Sequence, residues 1–184
     1  SDTLVGPNWL ERLSRAFDRS EKIGVVGPLS NTASWQSVPK LNDGDDWADN
    51  PLPDGIEASA MSDLIAKYSA CILPEVPLLN GFCMMINREA FKDIGIFDEE
   101  TFGQGYGEED DFNLRAGAAG WKKLIADDVY VYHAQSKSYS HERRAELGRI
   151  SGEKLKQKHG AEVIAEAVRH MNPNRVMEGI RART

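Results

Sequence analysis

Short apolar runs that stop at polar or chain-breaking residues, set between segments of helical spacing, constrain this chain more than any other feature. Ile23-Gly24-Val25-Val26 stops at Gly27-Pro28, Leu124-Ile125-Ala126 at Asp127, and Val129-Tyr130-Val131-Tyr132 at His133. Such runs read as buried strands entering loops. Residues 78–86 form a longer, mostly apolar stretch that reads as a strand carrying Asn80-Gly81. Around the strands lie helical patterns. Asn8 precedes Trp9-Leu10-Glu11, a cap residue with Glu at the third helical position. Residues 57–69, residues 87–91, a segment opened by Glu108 and closed by Gly120, and nearly everything after Ser140 read as helix, with breaks at Gly160 and Asn172-Pro173. Helices alternating with short apolar strands give an α/β fold, and 184 residues make one domain or part of one.

Charge divides the chain. Residues 1–100 carry 8 basic and 17 acidic groups, whereas residues 141–184 carry 10 basic and 6 acidic. Phosphate neutralisation needs clustered Lys and Arg, so the acidic body argues against nucleic acid as a ligand. The basic tail reads as a solvated helical extension, or as a peripheral contact with an anionic membrane surface or a partner. No apolar run approaches a membrane span, so a cytoplasmic protein is expected, peripheral at the inner membrane face if the tail binds lipid. Cys71 and Cys83 make no CxxC and read as buried thiols in a reducing compartment.

Three polar features fall where strands or loops end, the place where sheet proteins hold ligands: Asp2, the run Glu108-Glu109-Asp110-Asp111, and His133. Asp2 suits a hard cation such as Mg²⁺ or Mn²⁺ with substrate phosphates, or is a turn aspartate. Four consecutive carboxylates cannot share one helix face, because successive residues lie about 100° apart. Asp111 is four residues before Arg115 and suits an ion pair, which frees others of the run to face a pocket. Crowded carboxyls raise one another's pKa, as a general base requires; a dipole-stabilised, solvated helix start is the other reading. The preceding Gly103-Gln104-Gly105-Tyr106-Gly107 allows close approach of a ligand and offers an aromatic face. His133 precedes a segment holding Lys137, which favours metal or phosphate contact over plain packing. No Gly-x-Ser-x-Gly, phosphate loop or Cys/His cluster occurs, so a nucleophilic triad, a nucleotidyltransferase loop and a zinc site are not expected. Residues 29–55, with three prolines and two tryptophans and no periodicity, read as a long functional loop.

Ser1-Asp2-Thr3 followed by Pro7-Asn8-Trp9-Leu10-Glu11, then Gly27-Pro28-Leu29-Ser30-Asn31, Asn80-Gly81-Phe82-Cys83, Gly95-Ile96-Phe97-Asp98-Glu99, Gly105-Tyr106-Gly107-Glu108-Glu109-Asp110-Asp111-Phe112 with Arg115, and Asp127-Asp128-Val129-Tyr130-Val131-Tyr132-His133 together resemble family 2 glycosyltransferases of the GT-A fold. Within that family the chain is similar to the bacterial rhamnosyltransferase-like branch, over residues 1–140 and only loosely thereafter. The resemblance implies a mixed, Rossmann-like sheet and inverting transfer of a sugar from a nucleotide-diphosphate-sugar to a glycan or lipid-linked acceptor hydroxyl, as in cell-surface polysaccharide synthesis. It places a divalent cation, Mg²⁺ or Mn²⁺, on Asp2 and His133, with His133 and Lys137 toward the diphosphate. It places the general base at Glu109, where the family more often has Asp, with Asp110 second. Asn80, Gly81, Tyr106, Glu108 and Trp35 fall on the acceptor side, with Trp35 and its loop as a cover.

The resemblance also implies that residues 1–140 are the acceptor-side part of such a domain, starting at the metal motif, and that residues 141–184 are a helical extension. The strands that grip the nucleotide precede that motif in the family, so this chain alone is expected to be catalytically impaired and open to self-association through its sheet edge. The alternative is a non-catalytic carbohydrate-binding or interaction module on the same scaffold.

Overall fold

The structure, a computed structural model, describes residues 2–103, 106–134 and 141–184. Strand β1 (Thr3–Val5) leads into α1 (Trp9–Arg15), a 3-10 turn (Ala16–Arg19) and β2 (Ile23–Leu29). A second 3-10 turn (Ser34–Gln36) and a hairpin of β3 (Asn42–Asp43) and β4 (Asp46–Trp47) precede α2 (Ala58–Tyr68). Then come β5 (Met85–Ile86), α3 (Arg88–Ile94), α4 (Glu99–Phe102), α5 (Glu108–Ala118), β6 (Lys122–His133), α6 (His141–His159), α7 (Ala161–Met171) and α8 (Arg175–Arg181). This is a mixed α/β fold with a helical C-terminal part.

The main sheet has the order β1-β6-β2-β5, with β6 parallel to β2 and the outer pairs antiparallel. β6 is its spine. Its first half pairs with β2 on one edge and is closed on the other by the segment around Glu75, through Val76 N–H to Lys123 O and Ile125 N–H to Pro74 O. Its last residues, Val131 to His133, carry β1. Val25, Leu29, Ile125 and Tyr130 face a core shared with Ile65 of α2, Phe112 of α5, and Met171, Met177 and Ile180 of the last two helices. Val26, Leu124, Ala126, Val129 and Val131 face the opposite layer, where Leu13 of α1 and Ala16 pack.

Several elements depart from the sequence expectation. The runs on either side of Asp127-Asp128 are one strand. The ladder slips there, from Pro28 opposite Ala126 to Leu29 opposite Tyr130, so β6 bulges where the two aspartates sit. Both are buried and both are paired: Asp127 accepts from Ser69 Oγ and Leu73 N–H, and Asp128 from Arg15 Nη2 at 2.6 Å. Of residues 78–86 only Met85–Ile86 is strand. Asn80 diverts the rest, since its side-chain oxygen accepts from Phe82 N–H and its own N–H donates to Gln36 Oε1. Asn8 precedes α1 as expected, but its φ of 55° is left-handed and its side chain makes no capping bond. Asn87 and Asp98 do cap, accepting from Glu89 N–H and Thr101 N–H.

Residues 29–55 are built rather than open. Residues 30–34 and 36–38 form a turn closed by Ser30 N–H to Gln36 O and Val38 N–H to Ser30 O, and Gly44, at φ 63°, starts the two-residue turn of the β3/β4 hairpin. The cysteines are not both buried: Cys71 lies exposed after α2, and Cys83 is partly buried in the irregular segment before β5, where burial raises its thiol pKa. The tail packs back on the body. Lys154 Nζ donates to Thr101 O, Lys158 Nζ reaches Asp98, and Arg181 donates to Ser37 O and Trp35 O. Among the described residues no helix is long and apolar enough to cross a membrane. β1 leaves Leu4 and Val5 exposed at the sheet edge.

Candidate active site

Two polar clusters meet neighbouring residues of one short segment, Phe82 and Gly81. At the end of β6, His133 is held on three sides. Asn31 forks over its backbone, Oδ1 accepting from His133 N–H at 2.7 Å and Nδ2 donating to His133 O at 3.0 Å. The ring Nδ1 faces Thr32 O at 3.1 Å, which fixes the proton there because a carbonyl only accepts. Nε2 therefore points at Asp2 Oδ2, 3.2 Å away, and the ring stacks on Phe82 at 5.3 Å between centroids.

Phe82 follows Gly81, and Gly81 is pressed against the second cluster. A side chain on Gly81 would meet Cβ, Cγ and Cδ of Glu109 at 3.2 to 3.4 Å, so the close approach requires glycine. Glu109 Oε2 accepts from Gly107 N–H at 3.1 Å, and Gly107, at φ 99°, is the residue before α5. Asn113 Nδ2, one turn on, donates to both Glu109 O and Leu79 O and so ties the helix to the turn that carries Asn80. Glu108, Glu109, Gly81, Met84, Phe97, Glu99, Phe102 and Gly103 line a cleft of about 410 Å³. Oε2 of Glu108 is buried there without a hydrogen-bond partner among the described residues.

The four carboxylates at the start of α5 do divide. Asp111 is fully buried and structural, accepting from Arg115 Nε at 2.8 Å, Lys158 Nζ at 2.6 Å and His159 Nε2 at 2.7 Å. Burial alone would raise its pKa, but the bonds from Lys158, His159 and Arg115 together hold it below the ordinary range. Glu109 is pushed up, by burial first and then by the charge of Glu108, although the amides of Gly107 and Gly81 pull it back. Asp110 is pushed up to about 7, by burial and then by Glu109 and Glu108.

A stability consequence follows for Asp110. The unfolded chain releases this proton near pH 4, and the folded protein keeps it to about 7. Over that window the folded state holds more protons, so stability falls as pH rises. Asp110→Asn removes the dependence. Urea unfolding of wild type and variant should show the loss of stability between pH 5 and pH 8 smaller in Asp110→Asn by about 2 kcal/mol.

The structure thus brings Asp2 and His133 together beside Phe82, and Gly81 and Glu109 together in a cleft shared with Glu108. Asn80 is adjacent but committed to the turn, its Nδ2 donating to Ser34 Oγ. Tyr106 lines a different cleft, of about 320 Å³, between α4 and α6 with Ser151 and Lys154. Trp35 stands on the 3-10 turn beside Asn80, edge-on to Trp47 at 4.9 Å, and does not line the Glu109 cleft. Lys137 and Gln104 lie outside the described residues. Sequence reasoning missed Asn31, Thr32, Gln36 and Phe82 as holders of the site. The signal was a polar Ser30-Asn31-Thr32 directly after a buried strand.

A divalent cation is compatible with this donor set. Carboxylate and imidazole are both ligands for Mn²⁺ and its neighbours, and Asp2 Oδ2 and His133 Nε2 stand 3.2 Å apart. Among the described residues no group of three or more His, Cys, Asp or Glu side chains is placed to hold a metal, so Asp2 and His133 would supply two positions and substrate or water the rest.

No protein-family model matches the chain. It is similar to the N-acetylglucosaminyl-diphospho-decaprenol L-rhamnosyltransferase of Mycobacterium tuberculosis, in strains CDC 1551 / Oshkosh and ATCC 25618 / H37Rv, at 26 % identity over 152 residues in each. The alignment covers 74 % of this chain and 46 % of the relative. The chain therefore spans about half the length of the curated relatives it matches, and what it resembles is a glycosyltransferase.

Proposed function

We propose that this chain is the acceptor-side part of a metal-dependent, inverting GT-A glycosyltransferase of family 2, moving a sugar from a nucleotide-diphosphate-sugar to the hydroxyl of a lipid-linked glycan. The observation that supports the reading is the adjacency in sequence of Phe82, which stacks on His133 beside Asp2, and Gly81, which packs on Glu109, so that one short turn touches both a carboxylate-imidazole pair and a desolvated carboxylate. Similarity to a rhamnosyltransferase whose name specifies a decaprenol-linked acceptor supports the substrate class.

Glu109 takes the proton from the acceptor hydroxyl. Its desolvation raises its basicity, while Gly107 N–H donates to Oε2 and holds the carboxylate in place. The charge of Glu108 keeps the local potential negative, which favours proton uptake on Glu109 as the hydroxyl attacks. Asp2 and His133 would hold a divalent cation, which when bound would supply positive charge against the diphosphate leaving group. Thr32 O and the Asn31 fork keep Nε2 of His133 aimed at that point.

Isothermal titration of UDP, GDP and dTDP, with and without Mn²⁺, into the chain alone and into the chain extended by the nucleotide-gripping strands that the resemblance implies tests the donor half of this reading. One nucleotide should bind the extended chain only with the metal and the chain alone weakly or not at all, and Asp2→Asn should abolish that binding. Metal-independent binding, or binding unchanged in Asp2→Asn, sinks the assignment of Asp2.

A further inference from the structure

At the end of the molecule away from Glu109, where α5 finishes and β6 begins, Lys123 is 7 % exposed and unusually ill-paired for a buried ammonium. Its Nζ makes one hydrogen bond among the described residues, to Asn113 O at 3.2 Å. Two of its three donors have no protein acceptor, and buried charges are normally compensated. Glu75 raises the lysine pKa through space without bonding it, and burial lowers that pKa by more. The ammonium lies over Gly117, where a Cβ would come within 2.6 Å of Nζ, so glycine at this turn of α5 makes its room.

Lys123 and Gly117 line the same open cavity, of about 680 Å³. Its walls are apolar: Val76 and Pro77 before β6, Leu114 of α5, Trp121, and Val163 and Ala167 of α7. Its rim carries charge of both signs. Glu75 is paired with Lys122 at 3.6 Å, and Glu166 and His170 stand exposed on α7, where His170 Nδ1 bonds Glu166 O. A buried cation with a single hydrogen bond among the described residues, lining a cavity together with Val76, Leu114 and Ala167, selects a ligand with one acidic head and an apolar body. The two unmatched N–H donors suit the two oxygens of a carboxylate, and the neighbouring Glu75 and Glu166 disfavour a doubly charged phosphate.

We propose that this cavity is a second ligand site, separate from the Glu109 cleft, that binds an amphiphilic carboxylate with its head on Lys123 and its chain along Val76, Leu114 and Ala167. It lies on the helix that carries Glu109 at its other end. Asn113, whose carbonyl receives Lys123 and whose side chain receives nothing but gives bonds to Glu109 O and Leu79 O, sits between the two.

Isothermal titration with octanoate as the probe, and 1-octanol as its neutral counterpart, tests the proposal. Octanoate should bind saturably at one site, and octanol at least tenfold more weakly. Lys123→Met, a replacement of similar length that should raise Tm because it removes an ill-paired buried charge, should weaken octanoate at least tenfold and bring it level with octanol. Ala167→Trp keeps the lysine and fills the cavity, and it should abolish binding in a protein whose circular dichroism is unchanged. No saturable octanoate binding to wild type, or binding that survives both substitutions, overturns the proposal. None of these outcomes depends on sugar transfer, so the glycosyltransferase reading stands or falls separately.

Discussion

Glu109→Gln should lower sugar transfer by roughly 10²- to 10⁴-fold while leaving nucleotide affinity nearly intact, the range that loss of a positioned general base produces. Glutamine preserves the volume against Gly81 and can still meet Gly107 N–H through its amide oxygen, so the packing that seats the side chain survives. What is lost is the lone pair that accepts the hydroxyl proton. Asp110→Asn should cost far less, since Asp110 does not line the cleft and itself holds its proton up to about pH 7. The comparison is made in the chain extended by the nucleotide-gripping strands that the proposed function calls for, with turnover and nucleotide binding measured on the same samples. Equal losses for the two variants would move the base to Asp110. A negligible loss for both, with nucleotide still bound, would favour a non-catalytic carbohydrate-binding scaffold.

The parts of this site legible in sequence are those set by local chemistry. A buried strand that stops at His133 and a helix that opens on four carboxylates announce themselves within a dozen residues. The pairing of Asp111 with Arg115 is likewise local, being fixed by helix periodicity. What sequence could not supply is long-range pairing. Residues 78–86 have a strand's composition, yet the distant Gln36 and the side chain of Asn80 take the amides of Asn80 and Phe82, and only Met85–Ile86 joins the ladder. That same turn is what lets Phe82 reach His133 and Gly81 reach Glu109, so the misread strand is the hinge of the site. Asp127-Asp128 misleads for a related reason. Two aspartates should break a strand, but Arg15 and Ser69, far away in sequence, pair with them inside it. The resemblance implies an acceptor-side place for Tyr106 and Trp35, and where each stands in the structure is set by long-range packing, Tyr106 in the cleft between α4 and α6 and Trp35 edge-on to Trp47.

The largest stability effect should come from Asp111, which carries no proposed chemistry. Its carboxylate is completely buried and receives Arg115 from its own helix, and Lys158 and His159 from the end of α6. Removing the negative charge with Asp111→Asn keeps the shape but leaves cationic groups converging on a neutral amide. Breaking a buried ion pair on one side typically costs 3–5 kcal/mol. The partners are partly exposed and can regain water, so about 3 kcal/mol is expected, read as a lower urea midpoint at unchanged slope. The sign with pH is set by the lowered pKa. The stabilisation is present above the ordinary carboxylate range, near pH 4, and is lost as pH falls through the lower folded value. Wild type should therefore lose stability on acidification below about pH 4, and Asp111→Asn should lose much less. Because Lys158 also holds Asp98, the variant should loosen the end of α6 before the sheet. Trypsin should then cut after Lys158 in Asp111→Asn at concentrations that leave wild type intact. A variant that is destabilised without becoming cleavable there would mean that Asp111 holds α5 alone and that the tail is anchored by Met171, Met177 and Ile180.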